Sequence, residues 1–499
     1  MERKILLVKK RVIIIGAGLG GLSAAIRLAS HGFAVTVLEQ QPSGGGKLQR
    51  IEEKGYRFDR GPSTITLPHM FEQVFAAAHK RMEDYVTFYR LEPSVRNVFR
   101  DGSVVDLHRS ADVMTAQIAA YSREDAVAYP AFKREAARLY RISEERFLGK
   151  LLLDWRDKAN PGMASAFLKI RPFTSLQRLL QRYFRHPNTL AMFGRYATYV
   201  GSSPFQAPAI FAMLAHVESE LGVFGVKGGT SSIVEAFVRL AGELGVDLQY
   251  GVEAQRILVR DGSASGVEST AGQWDADIVI ANGDVLTVCE RLLQPEHRTS
   301  MTNQRIEQYE PSLSGFVMLR GIPRPQPGLL HHTVYFPERY PDEFTAIFRD
   351  RKAPRQPAIY ICHPAASDSS AAPEGGSSLF ILANAPYLSD RWSWDEQQER
   401  YGAWLEGELS MLGVRGLADA EVRQLYTPLD LYRDTGAHRG SIYGISSNSA
   451  RQTFFRPANR SSDVRGLWFV GGTTHPGGGT PIVSRSGQLV AEQVIRLYG

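Results

Sequence analysis

The chain has 499 residues, 43% of them apolar and 22% charged, with a formal net charge of +6. That balance excludes a disordered or fibrous chain and fits a globular enzyme of two or three domains. The basic residues are scattered, as in RKAPRQP (351–357), without the dense runs and aromatics of nucleic-acid binders, so no nucleic-acid partner is expected.

Cys289 and Cys362 are the two cysteines, far apart and without metal-ligand spacing. A disulfide framework and a metal site are therefore not expected, and a reducing cytoplasm is the natural setting. The N-terminal MERKILLVKKR is charged and has no long apolar core, which argues against a secretory signal. The least charged long window, 197–216, contains Pro204 and Pro208 and makes a poor spanning helix. Peripheral contact with an anionic membrane face stays compatible with the charge.

In chain order, the first predicted unit is strand, glycine loop, helix, strand over about 10–40. Val12–Ile15 is an apolar β-branched run, followed by Gly16, Gly18 and Gly21 and an amphipathic stretch. Gly16 permits a tight turn, Gly18 lets backbone approach a pyrophosphate, and Gly21 lets helix pack on strand. The helix N-terminus adds N–H groups and positive dipole. Glu39, closing the second strand AVTVLE, is where a carboxylate accepts ribose hydroxyls. Gly44, Gly45, Gly46 and Lys47 form a second glycine turn ending in a cation that can face a diphosphate.

From Arg50 the pattern breaks into short extended runs, as in GYRFDRGPSTITLP (55–68). Residues 112–196 carry Arg, Leu and aromatics at helical spacing. The join GVKGGTSS (225–232) precedes a helical run from Ile233. Strands follow in 246–270 and in ADIVIANGD (276–284). Residues 301–430 mix strands such as TAIFRD (345–350) and LFILANAP (379–386) with a helix over 395–412. The closing segment from Gly466 returns to strand, glycine loop and helix.

Two glycine-loop units at opposite ends of the chain serve one cofactor only if it is long. FAD, with a diphosphate in its middle and a flavin at one end, fits better than a nicotinamide dinucleotide. The C-terminal loop and helix dipole suit phosphate or a reduced, anionic flavin ring. There is no G-x-S-x-G elbow, H-E-x-x-H or paired C-x-x-C. His216, His363 and His475 are isolated in sequence, the last of them inside the glycine loop. The cofactor is thus expected to carry the electron chemistry.

These motifs resemble the bacterial carotenoid desaturase and oxygenase family of flavin amine-oxidase-like enzymes. The resemblance rests on VIIIGAGLGGLSAAIRLASHG, VTVLEQ, GGK, GYRFDRGPSTITLP, GSIYG (440–444) and GLWFVGGTTHPGGGTPIVSRSGQ, and it spans the chain. Lys47 stands where many members have arginine, which keeps charge but loses the forked donor. The resemblance implies an α/β fold: a discontinuous Rossmann-like FAD-binding domain (1–95, 225–300, 431–499) with an interleaved α+β substrate domain (96–224, 301–430). It implies FAD contacts at Gly16, Gly18, Gly20, Gly21, Glu39, Gly45, Gly46, Lys47, Gly61, Pro62 and Ser63. Backbone at Val252 would meet the adenine end. Gly471, Gly472, His475, Pro476, Gly477, Gly478, Pro481 and Ile482 would line the flavin.

Within the family the chain looks most like the C30 branch that oxidises terminal methyl groups. GPSTITLPHMFEQVF, the DYVTFYRL run and YVGSSPFQAPAIFAMLAH carry that likeness. The expected substrate is a long apolar carotenoid exchanged with a membrane, the helices around 147–216 making the contact. Dioxygen or another acceptor takes the electrons. No catalytic acid or base is named. Desaturation of a C30 polyene uses the same cofactor site and tunnel and stays open as an alternative. A non-catalytic carotenoid carrier and a soluble amine oxidase are the further alternatives.

Overall fold

The computed structural model describes residues 9–153 and 161–499. Its first sheet has five parallel strands in the spatial order Leu467–Phe469, Ile278–Ala281, Arg11–Ile15, Ala34–Glu39 and Asp247–Tyr250. The central strand is β-branched and buried on both faces, as a parallel strand covered on both sides must be. Side-chain alternation divides its residues. Val12 and Ile14 join the core under the helices Leu19–Ser30, Ser232–Glu243 and Thr480–Tyr498. Ile13 faces the opposite core, which includes Ile257 and Val267 of a three-stranded antiparallel sheet. The strands after residue 246 thus divide: Asp247–Tyr250 and Ile278–Ala281 join the parallel sheet, and those between them form the antiparallel cover.

A second sheet of seven strands runs Val422–Tyr426, Ser314–Ile322, Ser377–Ala385, Ile359–Cys362, His332–Tyr335, Arg96–Val98, Val104–Asp106. One face packs on the helix Trp394–Met411, with Phe316, Met318 and Ile381 meeting Trp394, Tyr401 and Leu405. Val317, Phe380 and Leu382, on the other face, border the large cavity described below. The described part of 111–221 is mostly helical and has its own aromatic core around Phe132, Phe184 and Phe193.

One expected strand is corrected. Thr345–Asp350 continues the short helix Tyr340–Phe344 as a wider helical turn. Tyr340, Phe344 and Ile347 are all buried at a spacing of four and three residues, and that helical burial overrides the β-branched composition of TAIF.

Candidate active site

At the end of the first strand the chain turns at Gly16, whose φ of +98° is one that L side chains rarely adopt. Gly18 then begins the helix Leu19–Ser30. A β-carbon on Gly21 would lie 2.2 Å from the Gly16 carbonyl oxygen, and one on Gly20 would lie 2.7 Å from Asn282 Oδ1. Asn282 Nδ2 donates to the Gly16 carbonyl at 3.1 Å. The loop is therefore held by an amide from a neighbouring strand end as well as permitted by its glycines.

Glu39 accepts the Ala17 N–H at 2.7 Å and the Gln41 N–H at 2.9 Å. Burial raises its pKa, and these N–H bonds oppose the rise. The second glycine turn pairs with the first through a Gly18–Gly45 bridge. From the far end of the sequence, helix Thr480–Tyr498 crosses the glycine-loop helix at close range. A β-carbon on Gly487 would lie 2.1 Å from the Gly20 carbonyl oxygen. Gln488 Nε2 donates to the Ser23 carbonyl at 2.7 Å, and the Ser23 and Ser484 hydroxyls meet at 2.8 Å.

Both glycine loops open on one cavity of about 670 Å³. At one end its wall carries Gly16, Gly18, Gly20, Glu39 and Val252. Gly45, Gly46, Lys47, Gly61, Pro62 and Ser63 follow. Gly471, Gly472, His475, Pro476, Gly477, Gly478, Pro481 and Ile482 complete this part. Gly21 is not on the wall; it packs between the Gly16 carbonyl and Asn282. The cavity continues past Tyr360 and Leu382 into the second sheet and past Phe147 and Phe454 toward the helical layer.

These walls fit a long dinucleotide. A helix N-terminus faces the cavity without an acidic residue in its first turn, and backbone lies bare where side chains would collide. Two half-buried cations, Lys47 and Arg456, also line the cavity. Burial pushes Lys47 down to about 8 and Arg456 down to about 10, and Asp284 partly offsets both shifts. A nearby anion would raise both values again.

Residues 19–495 match the flavin-containing amine oxidoreductases. The chain belongs to that family. It is an FAD-dependent oxidoreductase with the α/β architecture of the group. Over 97% of its length it is 35% identical to the 4,4'-diapolycopene oxygenase of Methylomonas sp, covering 98% of that protein. It is 34% identical to the zeta-carotene-forming phytoene desaturase of Myxococcus xanthus, with 97% and 94% of the two chains covered. The solved cyclohexylamine oxidase of Brevibacterium oxydans superimposes with a TM-score of 0.63 at 16% identity, over 98% of this chain and 99% of that one. That last likeness is one of fold.

Within this flavoenzyme some expected side chains turn elsewhere. Lys47 Nζ donates to the Ile442 carbonyl at 2.5 Å and the Ser441 carbonyl at 3.3 Å, so it holds the GSIYG turn rather than standing free for phosphate. The Val252 N–H is already given to the Glu39 carbonyl at 2.9 Å, leaving an adenine contact to other atoms of that residue. His475 Nε2 lies 2.7 Å from the Phe147 carbonyl and 3.0 Å from that of Lys150. Its ring thus reaches toward the helical layer.

Several polar residues on or behind the wall carried no sequence motif. Arg456 donates to the Gly472 carbonyl at 3.1 Å. Arg195 pairs with Glu218 at 2.8 Å, both buried, and Glu218 also accepts the Tyr196 and Tyr199 hydroxyls at 2.7 and 2.5 Å. The Tyr360 hydroxyl lies 2.7 Å from both Ser63 Oγ and His332 Nδ1. His332 pairs with Cys362 across two strands, so with His331 they bring ligand-type atoms within 4.8 Å of one another. Glycine spacing flags a loop, whereas these groups meet only through long-range pairing of the second sheet and the helical layer.

Proposed function

We propose that this protein oxidises the terminal methyl group of a C30 carotenoid to an aldehyde, through the alcohol. The observation that carries the reading is the shape of the cavity: it runs without a break from the dinucleotide loops onto an apolar floor of Val317, Phe380 and Leu382. A rigid polyene needs such a dry slot with one end against the flavin. The 35% identity to a 4,4'-diapolycopene oxygenase supports the choice of terminal oxidation. FAD, when bound, would accept two electrons for each oxidation, with water supplying the oxygen atom of the methyl-to-alcohol step. The chain's own residues hold its diphosphate by backbone at Gly16–Gly20, exclude water with the apolar floor and orient the polyene. Dioxygen or another acceptor would take the electrons onward.

The FAD-binding residues named from sequence, apart from Gly21, are proposed to act through the cavity wall, many of them by backbone. The FAD-binding unit is proposed to comprise 1–95, 225–300 and 431–499, and the substrate unit 96–224 and 301–430.

A chain of packed aromatic rings leading from the surface to the cavity wall supports membrane delivery of the polyene. Leu168, Phe173 and Phe455 are exposed by 70%, 80% and 51%. Phe167 touches both Phe173 and Phe455 and packs edge-on to Phe454, which lines the cavity and meets Phe147. Exposed Lys169 and Arg451 flank this patch with positive charge. An aromatic surface rimmed by cations suits an anionic bilayer face. Part of the 147–216 stretch expected to touch the membrane, 154–160, lies outside the described residues. Among the described residues no helix is long and apolar enough to cross a membrane.

The second reading is C30 desaturation, favoured by the 34% identity to a phytoene desaturase. FAD-loaded protein in liposomes, given 4,4'-diapophytoene and 4,4'-diapolycopene separately, decides between them. Terminal oxidation predicts oxygenated diapolycopene and untouched diapophytoene. Conversion of diapophytoene by hydrogen loss alone would replace the proposal with the second reading.

A further inference from the structure

On strand Ser377–Ala385, alternation puts Phe380, Leu382 and Asn384 on the side of the cavity. The first two are apolar and the third is an amide. Asn384 stands directly across the ladder from Gly315. A β-carbon on Gly315 would lie 3.0 Å from Ile442 Cδ1, and Ile442 carries the carbonyl that receives Lys47. The amide is therefore at the end of the apolar floor that adjoins the cofactor loops.

Its bonding is one-sided. Asn384 Nδ2 donates to Glu343 Oε1 at 2.8 Å, and Asn384 Oδ1 takes no donor from the described residues. Glu343 is 1% exposed, accepts the Ala358 N–H at 3.1 Å and has no cationic partner there. Nearby, the Tyr340 hydroxyl is buried without a hydrogen-bond partner among the described residues, its ring 3.8 Å from the β-carbon position of Gly194. Tyr340 and Asn384 both line the cavity. A hydrocarbon offers these groups nothing, and a buried hydroxyl without a partner, as at Tyr340, costs about 1–3 kcal/mol. An alcohol or aldehyde at the chain end offers what they lack.

We propose that Asn384, backed by Glu343, receives the oxygen function formed at the polyene terminus and so determines whether the alcohol is retained for the second oxidation. The pair suits both states of that oxygen. With Glu343 as carboxylate, Nδ2 is held behind and Oδ1 accepts from an alcohol hydroxyl. With Glu343 as carboxylic acid, the amide turned over accepts its proton on Oδ1 and presents Nδ2–H to a carbonyl. The inference rests on the polyene reading of the cavity and names a specificity residue for it.

The test compares binding of 4,4'-diapolycopene with that of its terminal alcohol, by quenching of flavin fluorescence in FAD-loaded, anaerobic protein. The expected wild type prefers the alcohol. The Asn384→Leu, Glu343→Leu double variant removes both polar partners together and is expected to keep hydrocarbon affinity while losing about tenfold in alcohol affinity. Asn384→Ala gives the same readout if the double variant does not retain FAD. Glu343→Gln, which keeps a partner for the amide, is expected to preserve the preference. An unchanged alcohol-to-hydrocarbon ratio in the double variant, or in Asn384→Ala where the double variant does not hold FAD, overturns the proposal. Binding and reaction separate cleanly: if wild type prefers the alcohol, and the variants lose that preference, the receptor stands even where product analysis shows only desaturation. Absence of any preference in the wild type removes the receptor whatever the reaction.

Discussion

At Gly487 the helices from the two ends of the chain approach so closely that a β-carbon would meet the Gly20 carbonyl oxygen at 2.1 Å. Gly487→Ala must push them apart or bend one of them, a cost of about 1–3 kcal/mol. Because Gly20 is on the cavity wall, the same shift disturbs the dinucleotide loop. A lower unfolding temperature together with a lower FAD content is expected; full FAD content at wild-type stability would contradict the packing argument. Glu343 makes a different residue-scale prediction. Burial pushes its carboxyl up to about 8, against hydrogen bonds from Asn384 and Ala358 that pull it down. The ionisable groups that feel it are the hydroxyls of Tyr340 and Tyr401. The unfolded chain sheds this proton near 4.5 and the folded chain holds it to about 8. The full stability is therefore present below pH 4.5 and is lost as pH rises toward 8, by up to about 1.4 kcal/mol per pH unit. Denaturant titrations of wild type and Glu343→Gln from pH 5 to 8 should diverge in that direction. Parallel profiles would mean that Glu343 ionises near its ordinary value.

Among the elements, the helix Pro161–Lys169 and the turn after it carry the exposed apolar surface. Leu168→Glu with Phe173→Glu adds two negative charges where the account needs apolar and cationic contact. Binding to anionic liposomes should fall severalfold in sedimentation with FAD content unchanged. Wild-type sedimentation of that variant would remove this face from the membrane reading. The same scale explains what could be read in advance. Strand, glycine loop and helix at both ends are local patterns, and Gly16, Glu39 and Gly471 indeed meet on one wall. Lys47 was legible as a cation and not as the support of Ile442, because its acceptor is 395 positions away in sequence. Asn384 looks like any polar residue in LFILANAP until pairing with Gly315 and contact with Glu343 define its face. TAIFRD failed as a strand because burial at helical spacing, set by the neighbouring Tyr340, outweighed local propensity.

At the scale of the molecule, a parallel sheet supplies the dinucleotide loops, a mixed sheet supplies an apolar floor, and a helical layer adds Phe147 to the wall. One cavity joins all three. The cyclohexylamine oxidase shares the fold, so architecture alone does not select the substrate. The proposed choice of substrate rests instead on the apolar floor of Val317, Phe380 and Leu382 and on the relatedness to a 4,4'-diapolycopene oxygenase. The most direct measurement is mass spectrometry of the product formed from a C30 polyene whose terminal methyl groups are fully deuterated. Oxidation at the methyl carbon predicts a product that has gained oxygen and keeps a single deuterium on each aldehyde carbon. A product without oxygen that keeps every methyl deuterium would contradict the account.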